Sequence, residues 1–147
     1  MYRRAKYHPR KHGAVHIRAD DWSIGNVTVL ASRAERYIGI GPMADRSVLL
    51  LTRSVHTFSM KKPISIIVLD LAGTVVRAGV VHPRRIEWFH ALRWVVETRN
   101  GVALPRPGTE VVASTIRGNA RNTDPLRDTD RESWRSLRAR RSDAVER

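Results

Sequence analysis

The sequence predicts a mainly β domain: a small antiparallel β-sandwich or half-barrel with one or two short helices. Three observations carry this. The apolar residues fall in short, β-branched runs separated by turn residues. Two of those runs flank an Asp-x-x-Gly turn, the pattern of a hairpin. The helical signals are few, and Gly or Pro cuts each one short.

Taken in order, Val27-Thr28-Val29-Leu30 suits a strand. Ser32-Arg33-Ala34-Glu35 has capping-box spacing, in which the Ser hydroxyl accepts from the amide three residues on and the Glu reaches back. The helix it starts is stopped by Gly39 and Gly41-Pro42. Residues 47–52 read as a buried strand. Pro63-Ile64-Ser65-Ile66-Ile67-Val68-Leu69 and Thr74-Val75-Val76-Arg77-Ala78-Gly79-Val80-Val81 form the arms of the clearest hairpin, around Asp70-Leu71-Ala72-Gly73. The first arm is almost continuously apolar, which predicts that both its faces are covered. His82-Pro83-Arg84-Arg85 ends the second arm. Residues 92–98 are a further strand candidate, although Trp88, Leu92 and Val95 also fit a helical stripe. Asn100-Gly101 and Pro107-Gly108 are turn signals, and Glu110-Val111-Val112-Ala113 closes the domain as a last short strand.

The 147 residues fit one domain, and 41% hydrophobic against 28% charged residues is enough apolar material for a core. Without cysteine, disulfides and thiolate chemistry are excluded. No apolar run approaches the ~20 residues of a membrane span, and the basic N-terminus is not followed by a signal-like stretch. The expectation is a soluble cytoplasmic protein with no membrane partner.

The formal charge of +13 is uneven. Residues 1–18 hold six basic groups and no acid, residues 19–118 thirteen and eight, and residues 119–147 eight and six. This divides the chain into a basic N-terminal extension (1–22), a β-rich domain (23–117) and an Arg-rich tail (118–147), largely disordered or marginally helical. In the tail, Trp134 and Leu137 have the i, i+3 spacing of a helical anchor. Arg3, Arg4, Lys6, Arg10 and Lys11, with Tyr2 and Tyr7 among them, could follow a phosphate backbone.

The sharpest catalytic motif is Ile67-Val68-Leu69-Asp70-Leu71-Ala72-Gly73-Thr74. It resembles the nucleophile loop of haloacid dehalogenase-type phosphotransferases, with Ala72 where most have a second Asp. That chemistry needs Mg²⁺, further carboxylates and a parallel sheet flanked by helices. The remaining sequence shows no such alternation, and the competing reading is a β-turn capped by Asp70. His56 is a candidate base or metal ligand with Asp70 or Glu97 to orient it, but no second His stands at ligand spacing within the domain. His8, His12 and His16 share helical spacing, interrupted by Pro9 and Gly13. No metal or cofactor is expected.

Residues 27–113 also carry an ordered set of motifs: Glu35-Arg36 with Gly39, an apolar strand at 48–51, and Ser54-Val55-His56-Thr57-Phe58-x-Met60-x-x-Pro63-Ile64. Then follow a strand into Asp70-x-x-Gly73, Val75-Val76, Pro83 with Arg85, Val95-Val96-Glu97 and Gly101. This set resembles the family called domain of unknown function 192. Gly39-Ile40-Gly41-Pro42 and Gly108-Thr109 depart from its usual pattern. The resemblance implies a compact, mainly β fold with a short helix and implies no activity.

The sequence therefore favours a small binding or accessory domain over an enzyme. Its expected ligand groove comprises Arg36, His56, Met60 and Asp70, with Gly39, Pro63 and Gly73 as structural turns. The alternative is a nucleic-acid-associated protein acting through its basic head and tail, and a third reading is phosphate chemistry at Asp70.

Overall fold

The computed structural model describes residues 14–30, 47–115, 131–132, 134–135 and 137–138. Arg36, Gly39, the helix expected after Ser32 and the five head cations lie outside them.

Among the described residues, eight strands form one sheet: β1 (Ala14–Arg18), β2 (Ser23–Val29), β3 (Ser47–His56), β4 (Ile64–Leu69), β5 (Val75–Val81), β6 (Ile86–Arg99), β7 (Val112–Thr115) and β8 (Arg131–Glu132). Their order is β5-β4-β6-β3-β2-β1-β7-β8. The mainly β expectation holds, and residues 92–98 are strand, within β6. The sheet is mixed rather than purely antiparallel, because β2 and β3 run parallel, pairing Val27 with Ser47 and Val29 with Leu49. A parallel pair needs a crossover of a dozen or more residues, and the chain between Val29 and Ser47 supplies it.

β4 and β5 pair from Ile64–Val81 to Leu69–Val75, which is the expected hairpin. Every residue of β4 is buried, as its continuous apolar pattern requires. One face of the sheet packs Leu49, Leu51, Ile67, Leu69, Trp94 and Val96 with Val15, Ile17 and Val27. The other packs Val48, Leu50, Ile64, Ile66, Val68 and Val95 with Leu30, Val55 and Val81.

Curvature explains how both faces are covered. Between Thr52 and Ser54 the β3–β6 register shifts, so residues 89–92 of β6 stand opposite Arg53 alone. Such an insertion bends and twists a ribbon. Beyond it Val55 enters the second core, with Phe89 and Met60 packed beside it. At the other end the sheet's outer strands meet. Val75 N–H donates to Thr109 O (2.9 Å), Gly108 N–H to Val75 O (2.7 Å) and Val111 N–H to Gly73 O (2.9 Å), around a Thr74–Glu110 bridge. The start of β5 is thereby tied to the segment entering β7, which gives the sheet its half-barrel form.

Two of the expected domain boundaries are corrected. The head is not an extension as far as residue 22, because β1 lies between β2 and β7 with Val15 and Ile17 buried. Its period-two alternation, Val15 and Ile17 in and Arg18 out, is a strand signal inside a basic stretch. Nor is the tail wholly outside the domain. Trp134 and Leu137, at 7% and 6% exposure, belong to the first core, and β8 pairs with β7. Trp134 Nε1 donates to Val111 O (3.0 Å) and its ring tilts at 48° against Trp94, 5.7 Å between centroids. The aromatic contact and the satisfied indole account for the burial of this part of a polar tail.

Candidate functional site

Asp70 follows the last residue of β4. Its Oδ1 accepts the amides of Ala72 and Thr74, both at 2.9 Å, while its own N–H donates to Thr74 O (2.9 Å). Gly73 closes the turn at φ 94°, where a residue with a Cβ is strained. β4 is antiparallel to both neighbours, β5 and β6. A phosphotransferase of the suspected type needs its aspartate at the end of a strand in a parallel sheet, so this topology speaks against that reading.

His56 stands at the other end of the β4 direction. It ends β3 opposite Ile86, while Val81 nearby pairs with Ile64, the first residue of β4. Met60 and Pro63 precede β4, and Asp70 follows it. Its six residues span about 17 Å. The structure thus groups His56 with the loop that carries Met60 and leaves Asp70 apart. Met60 packs against the second core instead of forming a groove wall with Asp70. Glu97 is buried and faces Val48 and Ile66 in the strand ladder, while Asp70 Oδ1 is taken by its own turn amides. Among the described residues no three His, Asp or Glu side chains are grouped as metal ligands.

What gathers around His56 is a rim made of residues 57–63 and 82–88. Thr57, fully buried, joins the two segments. Its Oγ1 donates to His82 O (2.6 Å) and accepts from Arg85 N–H (3.0 Å). Its N–H donates to Arg85 O (2.9 Å), and its carbonyl accepts from Arg84 (3.0 Å) and Met60 (3.1 Å). Arg84 is held at φ 60°, a left-handed conformation that surrounding bonds must enforce.

Residues directly opposite on antiparallel strands share a face. Ser54 faces Trp88 and His56 faces Ile86, so these four lie on one side of the ribbon, opposite the side that buries Val55. That outer side is apolar and open: Trp88 is 73% exposed, Ile86 43% and Phe58 57%. Phe58 stacks on His56 at 5.8 Å and 23°, and His56 Nδ1 is buried with no hydrogen-bond partner among the described residues. Lys61, Lys62, Arg84 and Arg85, on the same two segments, are exposed. The only carboxylate on the two segments, Glu87, is bonded to Arg77 (2.9 Å). The rim therefore offers aromatic rings together with cations that have no ion-pair partner among the described residues, a combination that suits planar anionic ligands.

Sequence reasoning singled out His56 but not Phe58, Trp88, Arg84 or Arg85. The available signal was the clustering of aromatic and basic residues in 56–62 and 82–88, which becomes one surface only when β3 pairs with β6.

No family model and no curated protein matches the chain. Two solved structures share its fold. One is a protein of unknown function from Novosphingobium aromaticivorans DSM 12444, with TM-score 0.51, 16% identity, and coverage of 67% of this chain and 82% of that one. The other, called a "putative transcription regulator", comes from Sinorhizobium meliloti 1021, with TM-score 0.51, 16% identity, and coverage of 69% and 92%. At this identity the likeness shows the fold alone. Among the described residues no helix is long and apolar enough to cross a membrane.

Proposed function

We propose that this protein is a non-catalytic binding or accessory domain of the cytoplasm, and that its contact surface is the rim around His56. One observation carries the reading: Trp88, Phe58 and Ile86 are exposed on the same two segments as four exposed Lys or Arg residues, and Thr57 ties those segments together. Large exposed apolar groups ringed by polar ones mark interaction sites. The Asp70 carboxylate, by contrast, is engaged by turn amides. We also propose that residues 27–113 belong with the domain of unknown function 192 family, a reading supported by the order of motifs from Ser54 to Gly73.

The test is chemical-shift mapping on the isotopically labelled full chain at low salt. The probes are adenosine monophosphate, an acidic peptide and an oligothymidylate. Perturbations concentrated in residues 54–62 and 82–90 are expected for at least one probe. Perturbations centred on residues 70–74, turnover of a phosphomonoester that Asp70→Asn abolishes, or no response to any probe would overturn the proposal.

A further inference from the structure

Resting on the binding reading, we infer that the rim recognises single-stranded nucleic acid, with bases stacking on Trp88 and Phe58 and phosphates meeting Lys61, Lys62, Arg84 and Arg85.

The argument starts from register. Ile86 and Trp88 are two residues apart on one face of β6, and His56 lies across from Ile86. Phe58 continues the row by stacking on His56. The result is a row of rings and one aliphatic side chain along an outward-facing ribbon, with Trp88 and the Phe58 ring exposed beyond its contact with His56. Stacking on such faces tolerates any base, because every base has a π-face, but the base must be out of its duplex. Charge supplies the complement. The two segments carry four exposed Lys or Arg side chains and one carboxylate, which Arg77 already holds. A polyanion carrying planar bases matches both features.

An anionic lipid surface would also meet exposed Trp and basic residues. It fits less well. The apolar row is one strand pair wide and interleaves Ser54, whose hydroxyl lipid contact would leave unsatisfied. The rim is also prepared in advance. Thr57 bonds to three residues of the second segment, His82, Arg84 and Arg85, so less ordering is lost on binding.

The experiment is fluorescence anisotropy of the full chain with a labelled twelve-residue oligothymidylate, a duplex of equal length, and phosphatidylserine-containing vesicles. The single strand should bind more tightly than the duplex. Trp88→Ala and Phe58→Ala should each weaken it between about five- and about 150-fold, the usual effect of losing one stacked base. Both side chains are exposed, so unchanged urea midpoints are expected to show that the variants fold. Lys61→Gln with Lys62→Gln should flatten the slope of log K against log salt by about 1.4, two phosphates at about 0.7 each. The basic head adds charge to the full chain, which is why the slope difference, and not the slope, is diagnostic.

Wild-type affinity in both aromatic variants would overturn the inference, showing attraction by charge elsewhere on the chain. Vesicle binding that Trp88→Ala abolishes, with no oligonucleotide binding, would also overturn it, as would rim perturbations by the acidic peptide alone. Those last two outcomes leave the binding reading in place. Perturbations centred on residues 70–74 remove both.

Discussion

The Trp134 indole occupies the space a Cβ on Gly73 would need, its Nε1, Cδ1 and Cε2 all lying within contact of that position. Gly73 also adopts φ 94° and passes its carbonyl to Val111 N–H, while Trp134 Nε1 bonds to Val111 O. A turn in the middle of the chain, the segment entering β7 and the C-terminal region therefore meet at one glycine.

Gly73→Ala combines backbone strain with a clash against a buried ring. A loss of about 3 kcal/mol or more is expected in urea unfolding. Gly101→Ala is the control. It has the same φ of 94° but open space around the added carbon, so about 1 kcal/mol is expected. Equal losses at the two positions would mean that Trp134 does not press on Gly73.

Trp134→Ala removes a buried ring from the first core, and the expected loss is about 3–5 kcal/mol. Leu137→Ala should cost about 2–5 kcal/mol by the same cavity argument. If thermal unfolding is unmoved by either substitution, the C-terminal region is not part of the folded unit.

Asp70→Asn keeps a side-chain oxygen for the amides of Ala72 and Thr74, whereas Asp70→Ala removes it. We expect a loss of under about 1 kcal/mol for the first and about 1–2 kcal/mol for the second. Calorimetry that ranks them in the opposite order would show that the charge, and not the turn bonding, is what Asp70 contributes.

Thr57→Val preserves shape and deletes the hydroxyl that serves His82 O and Arg85 N–H inside a fully buried site. Leaving those groups unpaired is expected to cost about 2–3 kcal/mol, with Thr57→Ser recovering most of it. Hydrogen exchange at the amides of Arg84 and Arg85 should accelerate in the Val variant. Wild-type exchange there would show that the rim is held by something else.

Arg77→Ala breaks the ion pair with Glu87, whose side chains are 49% and 33% exposed. Solvent screening keeps the expected loss below about 1 kcal/mol. A loss well above that in a double-mutant cycle with Glu87→Gln would mark the pair as a clamp between β5 and β6.

The hairpin around Asp70, the burial of β4 on both faces and the strand at residues 47–52 were legible in the sequence, because period, β-branching and Asp-x-x-Gly chemistry are local properties. β1 was hidden by charge: Val15 and Ile17 alternate correctly, but His16 and Arg18 belong to a basic stretch that reads as solvated. For the candidate site, His56 was visible as a residue and its surroundings were not. Phe58 and Trp88 are separated by 29 intervening residues and come to one face only through the β3–β6 register.

By itself, then, the order of residues determined which segments become strands and where the central hairpin turns, since those outcomes depend on side-chain period and backbone preference over a few neighbours. Only the tertiary structure decided that Trp134 belongs inside, that Asp70 and His56 stand at opposite ends of β4, and that aromatic and basic residues from two loops share a rim. The physical reason is that burial is a property of the whole curled sheet. A polar tail residue enters the core when an open end of a curled sheet offers its indole both apolar contact and a carbonyl, and no local pattern encodes that vacancy.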